Sequence, residues 1–359
     1  MKKTFPILIV LVLLLAACVP TPPTLVISTP AASGPLPSAT PAPLAPTQAA
    51  TPTSNSASAP SNTPASPPAP ASTPGVIPAT GQNGSVPNFD HIVLIVLENQ
   101  SYSAALDPAS MPKLAALAQK NVLLTNYYAV GHPSLPNYLA LMSGSTQGVT
   151  TDCLTCFVTA PNLADEIQKS SRTWKAYLEG MPAPCTLGDI KQYAQKHNPF
   201  IYFTSIYTDT ALCDSNIVPL TQLSADLSAN QLPNFAFIMP NLCNSGHSCP
   251  PSTADQWLSA MLTKLQAGSG LGKNSLIIVT FDEADSQDKT SASGSANGGG
   301  KVVTILISPL AKPAFQDNTA YSHYSLLKTI LAAWSLPDLG KTSDANVSSI
   351  LAPWATSTP

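Results

Sequence analysis

The sequence predicts an α/β fold: a doubly wound, mainly parallel central sheet with helices on both faces, carried behind a disordered N-terminal stalk. Two observations predict it. Apolar runs rich in β-branched residues, the mark of strands covered on both faces, alternate with segments of helical period. Ahead of them, residues 19–88 are mostly Pro, Thr, Ser and Ala with no charged side chain, and such a segment has too little to bury to offset its ordering entropy. The first strand is expected at His91–Leu97, a nearly continuous apolar run. Further strands are expected at 122–128, 173–177, 234–239, 276–281 and 302–307. Helical patterns lie between them at 111–119, 134–142, 162–169, 253–265 and 324–334.

The chain opens with Met1-Lys2-Lys3, an apolar stretch from Phe5 to Leu15, and Ala16-Ala17-Cys18. A basic start, a short apolar core and small residues before a cut site make an export signal, and the run is too short for a comfortable membrane span. Leu15 to Cys18 also resembles a bacterial lipobox, in which the cysteine is lipidated. The expected organisation is therefore a lipoprotein signal over 1–18, a disordered linker over 19–88 and one catalytic-size domain over 89–354. Cys18 would anchor the exported protein to the outer face of a bacterial membrane.

Net charge is −3 and Arg172 is the one arginine, with no basic stripe, so no nucleic-acid partner is expected. Apart from Cys18 there are six cysteines, which in an exported protein favour three disulfides. Their spacing suggests local pairs: Cys153 with Cys156, Cys185 with Cys213, and Cys243 with Cys249. A Cys-x-x-Cys also serves redox or zinc chemistry, but a second such pair is missing and no thioredoxin-like helix follows this one.

In a parallel sheet, ligands sit outside the carboxyl ends of the strands. Those ends carry Glu98-Asn99, then 240–247 (PNLCNSGH), then Asp282-Glu283, while Asp285 falls in a solvated polar run. Carboxylates crowded at one sheet edge repel each other unless a cation neutralises them. In the stretch 131–144 (GHPSLPNYLALMSG), Ser134 sits at the start of a helix whose first turn holds Pro136. A serine there either caps the helix or faces an anion drawn to the helix N-terminus. His91, at the far end of its strand, reads as structural.

Six motifs occur in order: ENQSY at 98–102, HPSLPNY at 132–138, KHNPF at 196–200, MPNLCN at 239–244, FDEAD at 281–285 and SHYSLLKTI at 322–330. Together they resemble the bacterial and fungal phosphoesterase family of secreted acid phosphatases and phospholipases C, related in fold to the alkaline phosphatase superfamily. The resemblance spans about residues 89–340. It implies that Glu98, Asn99, Asp282 and Glu283, with the Ser134 oxygen, hold one divalent metal ion of open identity, and that Ser134 is the nucleophile. It implies that His247 and His323, and less firmly His197, line the phosphate pocket as catalytic histidines. Asn99, Asn137 and His132 would contact substrate. The chain departs from the family at Ser245 and Ser248, where many relatives carry acids, and this favours one metal ion over two.

The expected activity is metal-dependent hydrolysis of phosphate monoesters through a phosphoserine, acting on a small phosphate ester or a phospholipid headgroup. One alternative is a phospholipase C-type diesterase, which would profit from an aromatic cage; Tyr102, Tyr127, Tyr128 and Tyr138 lie near the motifs. A sulfatase or nucleotide pyrophosphatase is a third option within the fold, although residues 134–137 do not complete a sulfatase motif. From other classes come a surface-binding lipoprotein of the same fold with weakened catalysis, and a solute-binding lipoprotein, which would normally show two lobes.

Overall fold

The structure is a computed structural model that describes residues 85–354 apart from Ser269. The signal segment, Cys18 and the expected linker as far as residue 84 lie outside the described residues. At the linker's end, Val86 already packs on the core, and the Asn88 carbonyl accepts a hydrogen bond from Asn274 Nδ2 at 3.0 Å.

β1 (His91–Leu97) is buried along nearly all its length. A helical turn, α1 (Tyr102–Ala105), and α2 (Pro112–Lys120) lead to β2 (Val122–Leu124) and β3 (Tyr127–Tyr128). Then come α3 (Ser134–Ser143), α4 (Leu163–Lys169) and β4 (Trp174–Leu178). Short helices α5 (Thr204–Tyr207) and α6 (Thr210–Asn216), strand β5 (Ile217–Pro219) and helix α7 (Gln222–Ser228) precede β6 (Phe235–Met239). The remainder is α8 (Pro251–Ala267), β7 (Ser275–Phe281), β8 (Thr304–Ile307), β9 (Gln316–Asp317), β10 (Tyr321–Ser322) and α9 (His323–Ala333).

Eight strands form one sheet in the order β5-β4-β6-β1-β7-β8-β2-β9, and β3 pairs with β10 apart from it. From β5 across to β7 every neighbour is parallel, whereas β8 runs antiparallel to both β7 and β2. The expected mainly parallel α/β architecture is therefore present. Register decides where the chemistry falls. Leu97 of β1 lies opposite Phe281 of β7, so Glu98 and Asp282 leave the sheet side by side. The Asp282 N–H donates to the Leu97 carbonyl at 3.0 Å and carries the pairing one residue past the strand.

One expected strand is corrected. The run 122–128 is broken into β2, which joins the main sheet, and β3, which joins β10. At the break the Thr125 N–H and the Asn126 carbonyl are taken by Asp317 and Tyr321, partners contributed from far along the chain. Strand β5 and the short helices between 204 and 228 carry no periodic signal long enough to read.

Every residue of α3 is buried, which suits a helix apolar on all sides inside a larger core. It ends at Gly144, whose φ of 69° is the left-handed cap glycine adopts without penalty. A Cβ at that position would also collide with the Leu339 carbonyl. Phe89 meets Trp354 edge-on at 5.4 Å, so the two ends of the folded region close on one another. The three disulfides are the local pairs Cys153–Cys156, Cys185–Cys213 and Cys243–Cys249. Among the described residues no helix is long and apolar enough to cross a membrane.

Candidate active site

Parallel pairing delivers Glu98 and Asp282 to one sheet edge, and α3 begins against the same edge. Ser134, its first residue, is buried, with Oγ 3.1 Å from Glu283 Oε1 and 3.4 Å from Glu98 Oε2. Asn99 follows with φ 58°, a left-handed conformation that asparagine tolerates better than most side chains. In that conformation its N–H meets Asp282 Oδ1 at 3.2 Å, and its Nδ2 reaches Glu98 Oε2 at 3.3 Å. The other Asp282 oxygen, Oδ2, is fully buried with no well-formed hydrogen bond among the described residues, although the Ser134 hydroxyl acts on this carboxyl.

Two of these buried carboxylates, Glu98 and Asp282, resist ionisation. Burial pushes Glu98 up to about 8, with the charges of Glu283 and Asp152 adding to it against the Tyr138 hydroxyl and Lys196. Asp282 is driven well above the carboxylate range by burial and then by the charges of Glu98 and Glu283. A buried oxygen set with one poorly satisfied member has the composition of a hard-cation site. The spacing fits as well, since adjacent oxygens around a six-coordinate ion with bonds of about 2.1–2.3 Å lie roughly 3.0–3.3 Å apart.

His132 and Glu283 form an ion pair, Nδ1 to Oε2 at 2.5 Å, while Nε2 donates to the Asp288 carbonyl at 3.0 Å. The Glu283 hydrogen bond raises the His132 pKa above its ordinary value, which favours the imidazolium. His132 therefore reaches the site through Glu283. Tyr138 donates to Glu98 Oε1 from within the core. His197 is buried with Nε2 3.1 Å from the same oxygen, but out of line for a hydrogen bond. Burial, followed by Lys196, lowers His197 to about 3, so the ring is neutral. His247 stands exposed at the mouth, lowered to about 4 by burial of part of its ring and then by Lys196 and His197. Glu98, His197 and His247 each present one ligand atom, all within 4.8 Å of one another.

Two expected roles are corrected. His323 is sealed in the core: Nε2 donates to the Asp282 carbonyl at 2.6 Å, and Nδ1, left as the acceptor, takes the Tyr127 hydroxyl at 2.9 Å. With both nitrogens occupied it braces the backbone of Asp282 and does not line a pocket. Asn137 is buried and saturated. Its Oδ1 accepts from Val130 and Gly131 N–H, and its Nδ2 donates to the Gly131 and Pro133 carbonyls. It clamps the loop before Ser134 and has no hydrogen-bonding capacity left for substrate. Of the four tyrosines near the motifs, Tyr127 and Tyr138 are buried with hydroxyls turned inward, while Tyr102 and Tyr128 are half-buried.

The sequence reading missed two side chains. Asp152 accepts the Leu135 N–H at 2.9 Å through Oδ1 and the Lys196 ammonium at 2.8 Å through Oδ2. Lys196 in turn donates to His247 Nε2 at 3.3 Å. The one available signal was the place of Lys196 beside His197 in KHNPF. Glu179, at the end of β4, holds the loop before His247 through Asn241 N and Asn244 Nδ2, at 3.0 and 2.9 Å.

Residues 103–337 match the Phosphoesterase family. The chain belongs to that family. Among curated relatives of this phosphoesterase, the phosphate-repressible acid phosphatase of Penicillium chrysogenum is 35% identical over 264 residues, covering 70% of this chain and 61% of that one. The acid phosphatase of Aspergillus fumigatus is 31% identical, covering 74% and 59%. The phosphatidylinositol-3-phosphatase of Mycobacterium tuberculosis is 31% identical over 276 residues, covering 76% of this chain and 86% of that one. The phosphoesterase thus spans about three-fifths of the fungal relatives it matches. Among solved structures, an alkaline phosphatase superfamily protein from Vibrio parahaemolyticus overlaps 71% of this chain and 69% of that one, with TM-score 0.49 and 13% identity, too loose a likeness to carry weight.

Proposed function

We propose that the domain hydrolyses phosphate monoesters through a covalent phosphoserine on Ser134, with one divalent cation held by Glu98, Asn99, Asp282, Glu283 and the Ser134 oxygen. The carrying observation is a buried serine hydroxyl at a helix start, within 3.4 Å of two carboxylates and beside a third whose buried Oδ2 has no well-formed hydrogen bond among the described residues. The names of the relatives, acid phosphatases and a phosphoinositide monoester phosphatase, support the reaction class.

When bound, the cation lowers the pKa of the serine hydroxyl and polarises a phosphoryl oxygen. Ser134 Oγ forms the bond to phosphorus as the bond to the ester oxygen breaks. Its proton passes to Glu283 Oε1, 3.1 Å away, whose second oxygen is gripped by His132. The N-terminus of α3 faces the charge that develops on the phosphoryl oxygens. His247, as imidazolium, gives a proton to the departing alcohol. Water then attacks the phosphoserine, His247 recovers a proton from that water, and Glu283 returns its proton to Oγ. Phosphate leaves, and the resting site is restored. Because burial and Lys196 hold His247 down, the donor form is populated on the acid side.

The test is turnover of p-nitrophenyl phosphate by the purified domain with divalent cations from about pH 4 to 9, beside phosphatidylcholine. Ser134→Ala should abolish turnover, and a chelator or Asp282→Ala should suppress it. Turnover surviving Ser134→Ala sinks the phosphoserine, and indifference to both chelator and Asp282→Ala sinks the cation. Faster release from phosphatidylcholine would turn the reading to a phospholipase C. No turnover of either substrate would favour a weakened surface-binding protein. The same reading has the protein exported and lipid-anchored through Cys18, so incorporation of a labelled fatty acid should be lost in Cys18→Ser.

A further inference from the structure

Beside the oxygen-rich cluster lies a second donor set, Glu98, His197 and His247, with ligand atoms within 4.8 Å of one another. His197 Nε2 in that set is buried, 3.1 Å from Glu98 Oε1 but with no aligned hydrogen bond among the described residues. Such a set invites a cation, and phosphate-transferring sites often use a second metal ion to hold the attacking and leaving oxygens. Here, however, a positive charge is already present. The Lys196 ammonium donates to His247 Nε2 at 3.3 Å, and its charge is felt at Glu98 and His197.

Lys196 is held where a free surface lysine would not stay. Asp152 Oδ2 pins the ammonium at 2.8 Å, while Oδ1 of the same carboxylate accepts the Leu135 N–H at the start of α3, next to Ser134. The preceding residue, Gln195, is buried and anchored on both sides, by Nε2 to the Leu154 carbonyl at 2.7 Å and by Oε1 to the Gly188 N–H at 2.6 Å. Leu154 lies inside the Cys153–Cys156 disulfide loop, which follows directly on Asp152. The disulfide loop thus anchors the lysine's backbone through Leu154, and Asp152, the residue just before that loop, holds its charged tip. Of the three ammonium protons, Asp152 takes one and neutral His247 a second, which the imidazolium form gives up; among the described residues the third has no partner.

We propose that Lys196 binds the phosphoryl group directly, supplying the second positive centre of the site in place of a second metal ion, and that Asp152 positions it relative to Ser134. This rests on the phosphoserine reading above. An ammonium on the open side of the cluster pairs with the additional non-bridging charge that a monoester dianion carries and a diester monoanion lacks. Lys196 is on this account a determinant of preference for monoesters.

The experiment compares the parent domain, Lys196→Met, Lys196→Arg, Asp152→Asn and Ser134→Ala on p-nitrophenyl phosphate and bis-p-nitrophenyl phosphate, with inorganic phosphate as competitive inhibitor. Lys196→Met should lose roughly 10–100-fold in kcat/KM for the monoester and a similar factor in phosphate affinity, the effect of one charge-assisted hydrogen bond. Its diester activity should change by less than about 3-fold, and Lys196→Arg should recover part of the loss. Asp152→Asn should fall between the parent and Lys196→Met. The thermal shift on adding divalent cation should persist in Lys196→Met, showing an intact fold and metal cluster. Unaltered phosphate affinity and monoester-to-diester ratio in Lys196→Met would overturn the proposal, as would equal losses on both substrates. If Ser134→Ala retains the parent's activity, the failure lies with the phosphoserine reading. If Ser134→Ala is inactive and Lys196→Met is indistinguishable from the parent, it lies with Lys196 alone.

Discussion

Glu98→Gln should make the cation-free domain more stable at alkaline pH while removing its function. Glu98 is fully buried, and its pKa rises from 4.5 to about 8 on folding, chiefly through burial. Between those two values the folded state binds more protons than the unfolded chain, so stability falls as pH rises through the interval. At about 1.4 kcal/mol per pH unit, forcing this carboxyl to ionise costs on the order of 3–5 kcal/mol by pH 8. Glutamine keeps the shape and the acceptor for Tyr138 but cannot ionise. In chelator at pH 8 the variant should therefore melt roughly 6–20 °C above the parent, at about 2–4 °C per kcal/mol for a domain of this size. At a pH near 4.5 the two should coincide. Divalent cation should reverse the order, because the parent gains binding energy that the variant has lost. Differential scanning calorimetry in chelator and in cation, at both pH values, gives the four melting points. A parent whose stability is flat from pH 5 to 8 in chelator, or a variant that gains nothing there, would refute the argument that these carboxylates are crowded together at a cost.

Asn137→Ala should destabilise by about 2–4 kcal/mol in urea unfolding, because two N–H groups and two carbonyls lose their partner in a buried loop. A loss below about 1 kcal/mol would mean that water reaches those groups. In His247→Asn the decline of kcat as pH rises from the acid side should disappear, since the imidazolium that titrates near 4 is the proposed donor. His323→Asn should lower stability and leave the shape of that profile intact; a changed shape would return His323 to proton transfer. Both are read from the pH dependence of p-nitrophenyl phosphate turnover.

Much of the candidate site was legible because it depends on position along elements. Glu98 and Asp282 terminate apolar runs, and the carboxyl ends of parallel strands share an edge. Ser134 precedes an apolar helical stretch with a proline in its first turn. The disulfides are local, so spacing alone suggested their pairing. Other features depend on partners that no periodicity encodes. His323 is occupied by a carbonyl 41 residues earlier and a hydroxyl 196 residues earlier, so a histidine at a helix start could not be told from one facing a pocket. The Asp152–Lys196 pair joins two segments 44 residues apart, with α4 and β4 between them. The break at Thr125–Asn126 lies inside an apolar and aromatic run, and only the arrival of Asp317 and Tyr321 interrupts it. Asn137 was misread for a related reason: a polar residue one helical turn from Ser134 looks functional until all its bonds are counted.

The saturated Asn137 amide also bears on Glu283. It ties residues 130 to 133 to the first turn of α3, so His132 and Ser134 ride on one stiff knuckle of backbone. That knuckle touches Glu283 twice, once at each oxygen. Both grips on the carboxylate therefore come from one backbone unit, the loop before α3 and its first residue. On the proposed mechanism, the separation between the Ser134 hydroxyl and Glu283, its proposed proton acceptor, is therefore set by the same backbone segment that places His132. The Ser134–Glu283 distance is thereby tied to one short piece of backbone and does not depend on the loops around it for a hydrogen bond.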